Sequence, residues 1–552
     1  MNELKRSFEI YSIKLLWSIL FGLIIPALAT AQKDSTKRQS IDIISNYKPA
    51  LKNISKVNLT PSPLSIDTTT PKLKYSIPSL NLFFSYQPIS LKPLAFITDT
   101  SLQKGIRNYV KFGYGNFSTP FLQAAFSGGD GQKSIINLYA GYFSSKGKVL
   151  YQDVSKFNLK IAGSYFLTNS EVYGSVNYNL DKYNQYGYDH AVHTFPKDSI
   201  GRNFNDAGIH FGLKSTNNSE NKISYNPELA IHLFSEHLLG NETNVAFSLP
   251  MKKIINEEIS AELVVKEDIT SYHPKSTLQS GDLKNNLFQI NPVINYHTSR
   301  YNLHAGILPS FYNQKVAVLP DITASVQVQP NLFVRGGLQG DFIRNSFRSF
   351  SVINPYINSP TFLFNTKQVQ LFGSVTTKIR HHMDVIGRVA FIRYSNMPLY
   401  VNDRNSGKGF DIINEEKMSD LNFFGEVRYY SQDKFSITGS LDVNTYSGLK
   451  NNANAWGLIP FKFNVDAKWN ITQDVLIKGK IYSFSGIPVL LQNNVEKTLP
   501  AASDISVGTE VKVSKHLHAW LDIDNLLNKK YQRWNNYPVY GLQILGGFIY
   551  RF

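Results

Sequence analysis

From Gly105 to the C-terminus the chain alternates apolar and polar residues in one segment after another. Phe461, Phe463, Val465, Ala467 and Trp469 alternate with Lys462, Asn464, Asp466, Lys468 and Asn470. Ile505, Val507, Val511 and Val513 alternate with Ser506, Gly508, Glu510, Lys512 and Ser514, and Phe435, Ile437, Leu441 and Val443 with Ser436, Thr438, Ser440, Asp442 and Asn444. Successive side chains of a strand point to opposite faces, so each segment has one apolar and one polar face. Soluble sandwiches alternate too, but these segments run about 10–13 residues, against ~5–6 in globular sheets and ~9–11 for a tilted strand crossing a bilayer. Their polar faces also carry Lys, Asp and Glu at depth, which suits a water-filled lumen.

The connections sharpen this picture. Short polar turns are expected at 129–132, 168–170, 215–221, 253–256, 298–300, 329–330, 381–382, 432–433, 472–473 and 514–515. Most of the connections between them are longer: 181–202, 270–281, 346–365, 396–419, 447–456, 485–501 and 527–540. Ten hairpins, with a first strand at 107–115 and a last one at 541–552, make 22 strands, within a range of 18–24. An even number brings both ends of a barrel to one side, as bacterial outer-membrane barrels require. The predicted fold is all-β: a transmembrane antiparallel barrel over residues 105–552.

The last strand has the clearest pattern. Counting back in twos from Phe552 gives Tyr550, Phe548, Gly546, Ile544, Leu542 and Tyr540, an apolar face with an aromatic residue at each end. Gly541, Gln543, Gly547 and Arg551 lie on the other face. Tyr550 and Phe552 are therefore the candidate signal for the barrel-assembly machinery, an expected partner during biogenesis. Closure matters because an open sheet edge would leave backbone groups unpaired in hydrocarbon.

The stretch Leu521-Asp522-Ile523-Asp524-Asn525-Leu526-Leu527-Asn528-Lys529-Lys530-Tyr531, then Tyr537-Pro538 and Gly541, and finally Gly547-Phe548-Ile549-Tyr550-Arg551-Phe552, resembles the closing strands of TonB-dependent outer-membrane receptors. The richness in Asn, Lys, Tyr and Ile is similar to that of Bacteroidetes proteins. The resemblance implies an outer-membrane barrel of that family's size. It also implies a folded plug ahead of the barrel, whereas residues 32–104 contain none of the family's glycine-rich plug signatures. The expectation is a plug-deficient barrel. Ser40-Ile41-Asp42-Ile43-Ile44-Ser45 is weakly similar to a TonB box, which makes Ile41, Asp42, Ile43 and Ile44 the candidate contact for TonB.

Residues 1–31 read as a secretory signal peptide. Lys5, Arg6 and Lys14 supply positive charge, residues 15–28 the apolar core, and Ala29-Thr30-Ala31 the cleavage site. Its removal takes away those three bases with Glu3 and Glu9, lowering the formal charge from +16 to +15. Residues 32–104 hold Pro49, Pro61, Pro63, Pro71, Pro78, Pro88 and Pro93, a density that excludes a continuous helix or a central strand. This segment is expected to be an extended periplasmic tether or a lumen filler.

Composition removes other classes. With no cysteine there is no disulfide, thiolate nucleophile or cysteine-ligated metal. The 36 Phe, 31 Tyr and 5 Trp favour strands and are expected mainly on lipid-facing surfaces and interfacial girdles. The positive charge is scattered, which argues against a nucleic-acid partner. His190 and His193 form an H-x-x-H beside Asp189 in a long loop without a third ligand, and His381-His382 falls at a turn. His516 and His518 lie near Ser514 and Asp522 but without a nucleophile motif. Gly336-Gly337 and Gly546-Gly547 lie inside strands and suit close packing or curvature. The expectation is a non-enzyme without cofactor or bound metal, embedded in outer-membrane lipid. Two functions fit: a subunit of a multi-protein complex of the export or barrel-assembly type, or a transporter or pore for nutrient uptake.

Overall fold

The computed structural model describes residues 108–215, 223–275, 281–380, 382–431 and 434–552. The signal peptide, the 32–104 segment and the TonB-box-like Ile41, Asp42, Ile43 and Ile44 lie outside the described residues, as do most of the 215–221 turn, His381 and the 432–433 turn.

Among the described residues the chain forms one closed antiparallel barrel of 22 staves. The sheet counts 23 strands because one stave is interrupted: Ile223–Tyr225 and Glu228–Glu236 both pair with Gly240–Ile254, and Pro227 breaks the run between them. Consecutive strands are neighbours all the way round. The first, Tyr109–Gly115, pairs with the last, Gln543–Arg551, so no edge is left open. Asn108 accepts the Phe552 amide at 2.9 Å, bringing the start of the wall and the end of the chain to one rim. Each predicted short turn that falls on described residues lies between two staves on that rim, which is the periplasmic one.

The alternation works as expected at the outer surface. On the last strand Phe548 and Tyr550 are 44% and 48% exposed. Its inward face is less polar than the sequence pattern implied, because Leu545 and Ile549 are almost fully buried there against Trp520. Lys111 caps this inner cluster, 3.7 Å above the Trp520 ring and 3.5 Å from Asp522. Elsewhere the inner wall is tied by polar networks: Arg344 to Asp268 at 2.6 Å, Arg551 to Glu510 at 2.6 Å, and Asp321 held by His304, Asn291 and Gln339.

One connection differs from expectation. Residues 396–419 do not form a long loop: Met383–Asn402 and Phe410–Ser431 pair through to Asn402↔Phe410, leaving only 403–409 as the turn. At 20 and 22 residues these strands are longer than a bilayer crossing requires, so they stand above the membrane on the outer side. Their tips and the long outer connections build the functional region.

Candidate functional site

Several outer connections pack against one another at the outer rim. The 525–542 connection turns inward as a small hairpin, Gln532–Trp534 against Tyr537–Pro538. Its start explains the Asn-rich motif seen in the sequence. The Asn525 side chain donates to the Lys529 carbonyl at 2.7 Å and the Tyr540 carbonyl at 2.8 Å, while its own carbonyl accepts the Lys529 amide. Tyr531 then donates to Asp504 at 2.8 Å, directing the chain across the lumen.

At the centre the hairpin meets three other segments. The Tyr537 ring stacks on Tyr356 with centroids 3.7 Å apart, and Tyr186 stands edge-on to it at 4.9 Å. Trp534 packs between Tyr400 and Phe410, each 5.3 Å away. Gly187 is required beneath this knot, since a Cβ there would overlap the Tyr537 ring. Polar bonds lock the layer: Gln152 and Tyr186 both donate to the Pro538 carbonyl, Tyr537 to the Lys408 carbonyl, and Arg533 to the Gly457 carbonyl at 2.7 Å. Burial pushes the Tyr186 phenol up to about 12, and burial together with the neighbouring tyrosines holds Tyr356 and Tyr537 well above the usual range. All three are neutral donors at any physiological pH.

The 344–365 connection supplies the other half of the closure. Its helix Phe347–Ile353 starts with a reciprocal cap, Ser346 and Ser349 each bonding the other's amide. Glu242, buried in the wall, accepts the Phe347 and Arg348 amides, and Arg348 reaches Asp206 at 2.8 Å. Phe347 and Phe350 are thereby driven into the same core as Phe204, Phe234 and Tyr272.

The 403–409 turn shows how such a connection is held. Asp403 accepts the amides of Asn405, Ser406 and Gly409 at 2.8–3.0 Å. Burial would raise its pKa, but these bonds outweigh it and keep the carboxyl below its ordinary 3.8. A depressed carboxylate contributes stability that is complete above the unfolded-state value and is lost as pH falls through the folded one. The turn is therefore expected to stay closed down to pH ~4 and to loosen below it. Asp403→Asn should show at neutral pH the faster Gly409 amide exchange that the parent shows only in acid.

Under the knot, inside the wall, lies a cavity of about 410 Å³. Tyr183, Tyr186, Tyr356, Tyr531, Tyr537 and Tyr540 line it, with five carboxylates (Asp153, Asp181, Asp206, Asp504, Asp524) against three cations (Lys156, Arg348, Arg533). The alternation places aromatics mainly on the lipid face, whereas these tyrosines cluster inside the wall. The signal available was a tyrosine in five of the seven long outer connections.

The other candidate residues fall elsewhere. His190 contacts the Tyr186 carbonyl at 3.2 Å and the Tyr188 ring, while His193 stacks on Phe195, so the two share no ligand geometry. Among the described residues no group of three His, Asp or Glu side chains is placed to hold a metal. His516 bonds the Arg551 carbonyl and His518 pairs with Glu510 at 3.0 Å, whereas Ser514 accepts the Leu517 amide. Tyr550 and Phe552 lie on the outer surface at the periplasmic rim, rings 5.7 Å apart. Gly547 does serve close packing, at the seam between first and last strands.

No family model matches the chain, and no curated protein does. Solved structures do. The FrpB iron transporter from Neisseria meningitidis superposes with a TM-score of 0.64 at 9% identity, over 82% of this chain and 82% of that one. The ferric enterobactin receptor PfeA gives 0.62 at 10%, over 81% of each. The pyoverdine receptor FpvA from Pseudomonas aeruginosa gives 0.62 at 8%, over 81% of this chain and 78% of that one. This chain is a bacterial outer-membrane β-barrel. At such identities the likeness carries the receptor-barrel fold, and the three named neighbours are transporters or receptors rather than enzymes.

Proposed function

We propose that this barrel is a closed scaffold: a plug-deficient, TonB-receptor-like subunit of a multi-protein outer-membrane complex of the export or barrel-assembly type. One observation carries the reading. A 22-stave wall encloses a lumen wide enough to leak unless it is filled, and at the outer mouth Tyr186, Tyr356, Trp534 and Tyr537, from connections far apart in the chain, pack together in one aromatic knot. Residues 1–31 serve as the export signal and Tyr550 and Phe552 as the assembly signal of this scaffold.

The second reading is nutrient uptake. It is favoured by the names of the structural neighbours, an iron transporter and a ferric enterobactin receptor, and it assigns TonB contact to Ile41, Asp42, Ile43 and Ile44. One experiment separates the two. The full chain, purified natively in mild detergent, is expected to bring partner proteins in fixed stoichiometry with or without TonB in the cell, and to be silent in a planar bilayer. Large conductance steps, or partners and growth on a ferric chelate lost together with TonB, would overturn the scaffold reading.

A further inference from the structure

We propose that the outward face of three neighbouring staves carries a docking site for a phosphorylated glycolipid of the outer leaflet, held by Lys367, Arg393 and Lys417. Such a site needs only the wall's place in the membrane and is the same whether the barrel is a scaffold or a receptor.

Strand register brings these residues together. Lys367 lies on Thr366–Ile379, Arg393 and Ser395 on Met383–Asn402, and Lys417 and Ser419 on Phe410–Ser431. Ser395 is paired with Lys367 on one side and Lys417 on the other, so the three form one row across the sheet. Arg393 stands in the next row down, between Val369 and Ser419. Cross-strand partners share a face, and here it is the outward one. Ile392 and Tyr394 on either side of Arg393, and Met418 beside Lys417, are buried together in one cluster on the other face, whereas Arg393 and Lys417 are exposed.

Their height in the wall is specific. Ile379, Met383 and Tyr429 make the row at the periplasmic end of the same three staves. Arg393 stands ten residues beyond Met383, a climb of about 25 Å for tilted strands and thus about the height of a barrel's apolar band. Between the two rows the outward residues Val427, Val375, Val389, Leu371, Leu421 and Phe391 are all exposed and apolar. The cations begin where that band ends, at the level of the outer-leaflet headgroups.

Their charge is unspent. Lys367, Arg393 and Lys417 make no ion pair among the described residues, and Glu416 beside Lys417 is taken by Lys450 at 2.6 Å. Lys450 also bonds the Lys417 carbonyl through its amide at 3.1 Å, so four cations and one acid share the patch, +3 in net charge. The Arg393 guanidinium lies 5.5 Å from the centre of the Phe391 ring, which steadies it at the edge of the apolar band. Ser395, Ser419 and Ser447 add hydroxyls to the same rows. Lysines and an arginine around a hydroxyl suit a phosphate, which accepts from several donors at once and relieves their mutual repulsion. A lipid phosphate reaches this height already anchored, with its acyl chains lying over Leu371, Phe391 and Leu421. That complementarity favours a lipid over a soluble acidic partner, which meets the patch only at the edge of the bilayer.

The test is native mass spectrometry of the full chain purified from outer membranes in mild detergent. The parent is expected to keep a phosphorylated glycolipid through detergent washing. Lys367→Gln, Arg393→Gln and Lys417→Gln combined should keep about tenfold less of it, with the folded, unheated band unchanged. Lys378→Gln, Arg380→Gln and Lys434→Gln remove the same charge from the periplasmic rim and should leave retention at the parent level. A second arm needs no variant. Purified lipid A added to the delipidated parent should rebind, and lipid A stripped of its phosphates should bind about tenfold more weakly or worse. Equal retention in parent and patch variant, or equal binding of the two forms of lipid A, overturns the site. An equal loss in the rim variant also overturns it, since net charge rather than this patch would then hold the lipid. If the patch variant fails to fold, the lipid A comparison on the parent decides alone.

Discussion

A chain carrying Gly547→Val is expected not to close. Gly547 faces Gly113 across the seam between the last strand and the first. A Cβ at 547 would overlap the Phe112 carbonyl oxygen and lie 2.5 Å from the Gly113 Cα, and these are backbone atoms that cannot step aside. At Gly113 a Cβ would lie 2.5 Å from the Trp520 ring and 2.6 Å from the Gly546 oxygen, so neither side of the seam has slack. The loss is not confined to one contact. The seam also carries the Phe552-to-Asn108 bond and the Asn116 side chain, which bridges the Leu542 carbonyl at 2.8 Å and the Ile544 amide at 3.0 Å. Forcing the strands apart exposes a row of unpaired amides and carbonyls to hydrocarbon, each costing several kcal/mol. The expected result is a chain absent from the outer membrane and lacking the fast-migrating folded band on unheated gels. Gly425→Ala is the control: a Cβ there meets nothing within 4 Å, and the folded band should be unchanged. A Gly547→Val protein with a normal folded band would show that the seam is not the point of closure.

The legibility of this fold follows from its two solvents. Between the rims each strand has lipid on one side and the polar lumen on the other, so alternation is enforced residue by residue and the turns stand out as interruptions. That is why the staves and the periplasmic turns could be read directly from the chain. The rule fails where one solvent is replaced by protein. At the tip of Met383–Asn402, Leu399, Tyr400, Val401 and Asn402 are all buried in succession, because packed connections cover both faces there. Without alternation the segment 396–419 reads as loop although it is strand. Leu545 and Ile549 are the milder case, inward residues made apolar by a local cluster around Trp520. The mouth was unreadable for another reason. Tyr186, Tyr356 and Tyr537 come from connections 170 and more residues apart, and nothing in their local spacing announces that they meet. The Asn525–Tyr531 motif was recognisable as a family-like sequence, but its role, turning the last connection across the lumen, needed the hydrogen bonds of Asn525.

Tyr537→Ala is expected to loosen the mouth while leaving the wall intact, and Tyr537→Phe to do much less. The alanine removes a fully buried ring that touches Tyr356, Tyr186 and Phe410, at a cost of about 3–5 kcal/mol for such a truncation. The phenylalanine keeps the ring and loses only the hydroxyl's bond to the Lys408 carbonyl, worth about 1 kcal/mol with the carbonyl left unsatisfied costing somewhat more. The mouth is held by side-chain packing and a few capped turns, whereas the wall is held by continuous ladders, so the cost should fall on local opening rather than on the barrel. Amide exchange in 525–542 and in 344–365 should therefore rise by about 10²–10³ in Tyr537→Ala and by about tenfold in Tyr537→Phe, with the strand amides of Phe410–Ser431 unchanged below the membrane rim. Equal exchange in parent and alanine variant would mean that Glu242 and the Phe347–Ile353 helix hold the mouth on their own. A rise in the wall amides as well would mean that mouth and barrel open as one unit. Each outcome bears on function, because a scaffold that must not leak needs its outer seal to stay shut far longer than a receptor that opens with every ligand it takes.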